Sequence, residues 1–264
     1  MKAKNLAATH QAKCITRVTS WLSAFALSLA ALTTANSLAA EGISTEACPD
    51  GPAQTAYAPA SGRGPLIVLI SGQTGPTSYQ SYAAEIAKLG YYAVLLDGKD
   101  ILNKSQWPDA GNLRKAIERG QRSANAQPGK AAVIGFSLGG GGALLHAAAM
   151  PEQVSMVVAY YPFTREWADK TNWFVKRFRV PVLVLAAQKD RYKECCVVEM
   201  ARSMESSAKS NNVAFELVVY PEADHGFNLQ TGARGEPTGS YRADDAADAW
   251  KRTVEMLKQK HPLK

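Results

Sequence analysis

The chain has 264 residues, of which 46% are hydrophobic and 20% are charged. This length and composition provide a substantial core for one large domain or two small ones. They exclude a disordered chain, a collagen-like chain and a disulfide-dense miniprotein. The formal net charge of +7 suggests binding to nucleic acid, but residues 1–40 contain four basic residues and no acidic one. The remainder carries a net charge of +3 without a dense run of Lys and Arg, so no nucleic-acid-binding surface is predicted.

Residues 1–40 are predicted to form a signal peptide. A basic segment precedes an apolar run at 21–32, which is shorter than the roughly 20 residues that span a bilayer. Small residues follow, and cleavage is expected after Ala39 or Ala40. The alternative is an uncleaved membrane anchor. Cleavage predicts a soluble periplasmic or secreted protein without a stable membrane anchor, with an amino-terminal arm at 41–63 and a domain at 64–264.

Three cysteines remain after such a cleavage: Cys48, Cys195 and Cys196. An oxidising compartment favours disulfide bonds, and the spacing of the three matches no zinc-binding pattern. We expect Cys48 to pair with Cys195 or Cys196. A Cys195–Cys196 bond and three free thiols are the alternatives.

Apolar runs and helical patterns alternate along the mature chain. Six runs rich in Val, Ile and Leu predict buried strands at 66–70, 93–96, 131–135, 154–160, 182–186 and 215–219. Between and after them, helices are predicted at 79–89, 111–124, 138–150, 194–208 and 243–260. This alternation predicts an α/β fold with a mostly parallel sheet and helices on both faces. Ligands bind such sheets beyond the carboxyl ends of the strands.

The strongest motif is the G-x-S-x-G sequence at 135–139, with Ser137 at its centre. It lies between a predicted strand and a predicted helix, the context of the sharp turn that carries a nucleophilic serine in α/β-hydrolases. Glycines on either side permit the tight backbone, and the following helix directs N–H groups at a developing oxyanion. The alternative is a glycine-rich turn that binds a phosphate. However, neither common phosphate-binding glycine motif is complete here.

A nucleophilic serine needs a base and a carboxylate that orients the base. His225 follows the last predicted strand, unlike the other histidines, which are His10, His146 and His261. Asp190 comes shortly after the fifth predicted strand, and the order Ser137, Asp190, His225 is the order found in α/β-hydrolases. Asp224 is the rival for the acid, although a residue next to the histidine usually points away from the ring. Asp97 precedes the nucleophile and is predicted to cap a turn.

The remaining site residues are predicted from neighbouring strand ends. Two backbone N–H groups are required for the oxyanion. Leu138 is expected to supply one and Gln73 the other, with Gly72 and Thr74 as alternatives. Tyr161 and Phe163 follow the fourth predicted strand and are expected to line an apolar substrate pocket. Alternatively, these aromatic side chains pack a helix onto the sheet.

The chain resembles the dienelactone hydrolase family of α/β-hydrolases from about residue 64 to residue 257. The resemblance rests on four segments, namely 135–140, the strand ending at Asp190, 220–227 and 246–253. It implies an α/β-hydrolase fold without a large lid domain, acting on a small-molecule ester or lactone without a cofactor or a metal. The segment 135–142 is also similar, over a shorter stretch, to cutinase-like polyester hydrolases.

Two differences from the family's pattern concern the substrate. The members that give the family its name have a cysteine nucleophile, whereas this chain has Ser137. They also bind the substrate carboxylate with arginines, one of them shortly after the histidine, whereas here Arg234 comes later. Dienelactone is therefore not predicted as the substrate.

These observations together predict an exported serine hydrolase of carboxylic esters or lactones. An acyltransferase or a polyester hydrolase would use the same three residues. A peptidase of this fold usually has an additional gating domain, for which the chain is too short. A non-enzymatic binding protein on a hydrolase scaffold is the least favoured alternative, because all three triad residue types occur in order. The sequence makes no prediction about the oligomeric state.

Overall fold

A computed structural model describes residues 15–18, 43–47, 51–103, 105 and 109–263. These residues form a nine-stranded sheet in the order β1-β2-β3-β5-β4-β6-β7-β8-β9. The strands are β1 (Ile15–Val18), β2 (Ile43–Ala47), β3 (Gln54–Tyr57), β4 (Leu66–Ile70), β5 (Tyr92–Leu96), β6 (Ala131–Phe136), β7 (Val154–Tyr160), β8 (Val182–Ala187) and β9 (Phe215–Tyr220). Strands β4 to β9 pair in parallel, and β1, β2 and β3 extend the sheet in antiparallel pairing.

The six predicted strands are all present, and their ends differ from the predicted ones by at most one residue. Every residue of β4, β5, β6 and β8 is buried. A strand covered on both faces has a continuous apolar sequence rather than an alternating one. For this reason the sequence identifies these central strands well.

Residues 41–63, predicted as an amino-terminal arm, contribute β2 and β3 to the sheet. Strand β3 pairs with β5, and its Ala56 and Tyr57 side chains are buried. Strand β1 lies within the predicted signal peptide and pairs with β2 at the edge of the sheet. The apolar run at 21–32 lies outside the described residues. Within the described residues, no helix is long and apolar enough to cross a membrane.

Helices cover both faces of the sheet, as predicted. The described α-helices are α1 (Gln80–Lys88), α2 (Gly98–Ile101), α3 (Gly111–Arg122), α4 (Leu138–Leu145), α5 (Thr171–Val175), α6 (Val198–Ser210) and α7 (Ala243–Lys260). Helices α1 and α7 pack on one face, and α2 to α6 pack on the other. Asp97, which was predicted to cap a turn, accepts a hydrogen bond from the Lys99 N–H and caps the start of α2.

Two helices differ from their predicted limits by four or more residues at one end. Helix α4 ends at Leu145 and is followed by a 3₁₀ turn at Ala147–Ala149. Helix α6 begins at Val198 rather than at residue 194. Lys193 and Glu194 both have a φ of 51°, in the left-handed region, and this conformation delays the start of α6.

The predicted bond between Cys48 and the adjacent cysteines is wrong, because the structure joins Cys195 to Cys196. Cys48 itself lies outside the described residues. The bonded pair follows the left-handed turn at Lys193 and Glu194. The Cys195 carbonyl accepts hydrogen bonds from the N–H groups of Thr164 and Arg165. These two hydrogen bonds hold the pair against the segment after β7.

Candidate active site

Ser137 occupies a sharp turn between β6 and α4. Its φ of 51° and ψ of −115° are strained for a residue with a β-carbon. Three backbone hydrogen bonds hold the turn. The Ser137 N–H donates to the Tyr160 carbonyl, and the Ser137 carbonyl accepts from the N–H groups of Gly141 and Phe163. Neighbouring elements therefore hold Ser137 in this strained conformation, which gives the residue a fixed orientation.

The glycines of the motif let the turn pack directly against the sheet. A β-carbon on Gly139 would overlap the carbonyl oxygen of Ile70 at the end of β4, and one on Gly135 would overlap the carbonyl oxygen of Gly139. No side chain larger than hydrogen fits at either position without a backbone shift. The position of Ser137 relative to β4 is thus set by contacts between backbone atoms.

His225 links Ser137 to Asp190. Its Nε2 atom lies 2.9 Å from Ser137 Oγ, and its Nδ1 atom lies 2.7 Å from Asp190 Oδ2. Since an ionised carboxylate only accepts hydrogen bonds, Nδ1–H donates to Asp190 and Nε2 accepts from the serine hydroxyl. Asp190 is fully buried, and its second oxygen accepts a hydrogen bond from the Tyr192 N–H. The structure therefore brings together the three residues selected from the sequence.

Asp224, the rival acid, contacts a different part of the histidine. Its Oδ1 atom accepts a hydrogen bond of 2.7 Å from the backbone N–H of His225. Asp190 is thus the carboxylate bonded to the ring.

Two tyrosines enclose the His225 ring. Tyr192 stacks on it with a centroid distance of 4.6 Å, and Tyr161 approaches at 4.8 Å with its ring tilted by 62°. Burial raises the pKa of Tyr79, beside Tyr161, to about 12 and that of Tyr161 well above its ordinary value. Tyr79 and Tyr161 therefore remain protonated at neutral pH, and neither competes with His225 as a base.

The loop after β4 approaches Ser137, where the oxyanion site is predicted. Gly72 lies so close to Ser137 that an added β-carbon would be 3.4 Å from Ser137 Cβ. Gln73 and Thr74 line the same cavity as Ser137 and His225. Leu138 is the first residue of α4, where backbone N–H groups have no partner within the helix. Both predicted sources of oxyanion hydrogen bonds thus flank Ser137.

Two cavities lie on either side of the turn. The first has a volume of about 330 Å³ and is lined by Ser137, His225 and Tyr161. The second is larger, about 920 Å³, and is lined by Leu138 and Phe163. Tyr161 and Phe163, predicted to share one pocket, therefore line different cavities. Aromatic packing, the alternative expected for this segment, is seen a few residues later, where the Trp167 ring stacks on the buried Phe174 at a centroid distance of 4.5 Å.

Sequence reasoning missed the position of Arg234. This residue lines the first cavity together with Ser137 and His225, although it comes nine positions after the histidine. The loop folds back on itself, because Thr231 pairs with Pro237 and the Gly232 N–H bonds to the Glu236 carbonyl. The Gly-Glu-Pro turn sequence at 235–237 was the available signal, but it does not specify which way the loop returns.

Comparisons with known proteins agree with this architecture. A family model described as the dienelactone hydrolase family matches residues 53–261. A candidate carboxymethylenebutenolidase of Yersinia pestis is 27% identical over 223 residues, covering 74% of this chain and 78% of that protein. A second one, of Methylorubrum extorquens, is 28% identical over 234 residues, covering 79% and 76% of the two chains.

A solved structure has the same fold. The crystal structure of a candidate dienelactone hydrolase from Klebsiella pneumoniae superposes with a TM-score of 0.64 at 22% identity, covering 84% of this chain and 95% of that one. The family match covers most of the described chain and includes all of β4 to β9. The chain therefore belongs to the dienelactone hydrolase family and is a hydrolase of ester or lactone type.

Proposed function

We propose that this protein is a serine hydrolase that cleaves carboxylic esters or lactones through an acyl-enzyme. The observation that carries the proposal is the hydrogen-bonded series from Ser137 Oγ through His225 to Asp190. An ester or lactone carbonyl that enters the first cavity would reach Ser137 and His225 together. These are the components that acyl transfer by a serine requires.

In the proposed reaction, His225 Nε2 removes the hydroxyl proton as Ser137 Oγ attacks the carbonyl carbon. Asp190 keeps the proton on Nδ1 and stabilises the imidazolium that forms. The N–H groups of Leu138 and Gln73 donate to the negative oxygen of the tetrahedral intermediate. His225 then protonates the leaving alcohol. Water repeats the sequence on the acyl-enzyme and releases the acid.

Simple esters are expected to be better substrates than dienelactone. Ser137 stands where the members that give the family its name have cysteine. The larger cavity, lined by Phe163, Trp167 and Leu138, is suited to an apolar acyl or alcohol group. A series of p-nitrophenyl esters and lactones of increasing acyl length would identify the preferred class.

Labelling with a fluorophosphonate probe tests the activated serine directly. We expect Ser137 to be labelled in the wild-type protein, and we expect Ser137→Ala to lower ester turnover by roughly 10⁴–10⁶-fold. Ser78→Ala is a matched control, because Ser78 lines the same cavity and is also buried. A Ser137→Ala variant that keeps more than a tenth of the activity would refute the mechanism.

We also propose that the protein is exported and that residues 1–40 are removed. The basic segment, the short apolar run and the small residues before Glu41 support this proposal. Expression of the full chain followed by amino-terminal sequencing of the exported protein tests it. A first residue of Ala40 or Glu41 is expected. Retention of the full chain in the cytoplasm or the membrane would contradict export.

A further inference from the structure

Next to the candidate active site, two cysteines and the histidine form a compact group. Ligand atoms of Cys195, Cys196 and His225 all lie within 4.8 Å of one another. Among the described residues, this is the one such group of three or more metal-ligating side chains. We propose that reduction of the Cys195–Cys196 bond converts the group into an inhibitory site for one thiophilic divalent cation, such as Zn²⁺.

The ligand types fit this class of ion. Zinc in proteins binds thiolates at about 2.3 Å and imidazole nitrogen at about 2.0–2.1 Å in a tetrahedral arrangement. Neighbouring ligand atoms are then about 3.3–3.8 Å apart. The three side chains therefore need only small movements, with the sulfurs separating and the nitrogen approaching. Two thiolates would neutralise the charge of the ion, which matters because both cysteines are buried. Water would supply the fourth ligand.

The disulfide keeps this site closed. A sulfur in a disulfide is not a thiolate and is a poor metal ligand. Two molecules of a thiol reductant would transfer two electrons and two protons to the bonded pair. The products are two cysteine thiols and one disulfide of the reductant. Binding of the ion to the reduced pair would then release the two thiol protons.

Inhibition follows from the hydrogen bonds of His225. Both of its ring nitrogens are already engaged, Nε2 with Ser137 and Nδ1 with Asp190. An ion bound to Nε2 would displace the serine hydroxyl, and an ion bound to Nδ1 would displace the carboxylate. Either way, metal binding and proton transfer by His225 exclude each other. This last step rests on the proposed hydrolase function, whereas metal binding itself does not.

Cobalt(II) provides a test of binding that is independent of activity. The full-length protein is reduced with a phosphine, and Co²⁺ is added under anaerobic conditions. We expect one Co²⁺ per chain and a thiolate-to-cobalt charge-transfer band. The band should be absent from the oxidised protein and from the Cys195→Ser/Cys196→Ser variant. His225→Ala should weaken Co²⁺ binding by about 10-fold or more, because one of three protein ligands is lost.

Zinc inhibition tests the consequence for turnover. Micromolar Zn²⁺ should lower ester hydrolysis by the reduced wild-type protein at least about 10-fold, and a chelator should restore it. The double serine variant is the matched control, since it also lacks the disulfide but offers no thiolate. Circular dichroism establishes that the reduced protein and the variant remain folded.

The outcomes separate the two proposals. The metal site is refuted if the reduced protein shows no thiolate-to-cobalt band. The inhibitory role of the site is refuted if Zn²⁺ inhibits the oxidised protein and the double variant as strongly as the reduced wild type, because His225 alone would then explain the effect. A cobalt band in a protein without esterase activity would retain the site and reject the hydrolase mechanism.

Discussion

Asp190 and Asp224 both contact His225, but they bond to different atoms of it. Asp190 accepts from the ring at Nδ1, and Asp224 accepts from the backbone N–H. The pair therefore allows a matched experiment on the role of the acid. Asp190→Asn should lower kcat by roughly 10³–10⁴-fold, because an amide no longer holds the tautomer that leaves Nε2 free to accept a proton. Steady-state hydrolysis of a p-nitrophenyl ester measures the change.

Asp224→Asn is the control for that prediction. The substitution retains an oxygen that can accept from the His225 N–H, so we expect a change in kcat of less than about 10-fold. Equal losses in the two variants would mean that Asp190 has no special role in orienting the ring.

His146 provides a prediction about stability and pH. It lies at the end of α4 and is buried, and burial together with the positive charge of Arg177 lowers its pKa from 6.5 to about 4. The unfolded chain then binds more protons than the folded chain between these two pH values. The free energy of unfolding should fall as the pH drops from 6.5 towards 4, by about 3 kcal/mol at most from this residue.

Urea unfolding of the wild type and of His146→Gln at several pH values measures that contribution. Glutamine does not titrate, so the variant should lose less stability than the wild type over this pH range. Parallel pH profiles for the two proteins would show that His146 does not cause the loss.

At the residue scale, the sequence predicted the members of the candidate site whose positions follow from the ends of strands. Ser137, Asp190 and His225 each follow a predicted strand, and parallel strands bring such residues to one edge of the sheet. Arg234 reaches the same cavity through a loop that folds back, and no periodic pattern specifies that path. The group of Cys195, Cys196 and His225 is a similar case, because the cysteine pair comes within 4.8 Å of His225 only after the left-handed turn at Lys193 and Glu194, which the sequence pattern does not reveal.

At the scale of elements, the aromatic residues of the segment after β7 lie in two different environments. Phe163 lines the large cavity, whereas Phe178 is buried among Phe174 and Phe215. Phe163→Ala should change the preference for acyl chain length by several-fold, since each methylene in an apolar pocket is worth about 1–3 kcal/mol. The kcat/KM values for esters of increasing acyl length measure this change.

Phe178→Ala is the matched control in the same segment. It should lower the free energy of unfolding by about 3–5 kcal/mol through a buried cavity and leave the relative kcat/KM values unchanged. If Phe163→Ala affected stability alone, packing would be its only role.

Helix ends were harder to predict than strands. The central strands are continuous apolar runs, so their limits are clear in the sequence. Helix α6 starts four residues later than predicted because two non-glycine residues adopt left-handed conformations before it. The apolar pattern alone does not report such a turn. Helix α4 gives way to a 3₁₀ turn among alanines, where sequence preference barely separates the two helix types.

At the scale of the whole molecule, the pairing of β2 and β3 at one side of the sheet leads to a prediction about chains truncated at the amino terminus. A chain that starts at Glu41 retains β2 and β3, whereas one that starts at Pro59 loses both and exposes the edge of β5. Removing the buried Tyr57 and Ala56 side chains should lower the free energy of unfolding by at least about 3 kcal/mol. Thermal unfolding of the two truncated chains measures the difference.

The chain that starts at Glu41 should have the same turnover as the full chain, because β1 lies at the far edge from Ser137. Identical melting temperatures for the two truncated chains would show that β3 adds nothing to stability. The sequence did not reveal β3, since Gln54–Tyr57 is a four-residue strand without a continuous apolar run.

The backbone packing around Gly135 and Gly139 has a consequence for how this protein can diversify. Ser137 is positioned by main-chain atoms, whereas the two cavities are walled by side chains on separate segments. Substitutions in those walls can accumulate without displacing Ser137. We therefore expect substrate preference to change more readily among related proteins than the position of Ser137. In a randomised library, we expect active variants with altered preferences to carry changes at positions such as Phe163 and Trp167, and almost none at the two glycines.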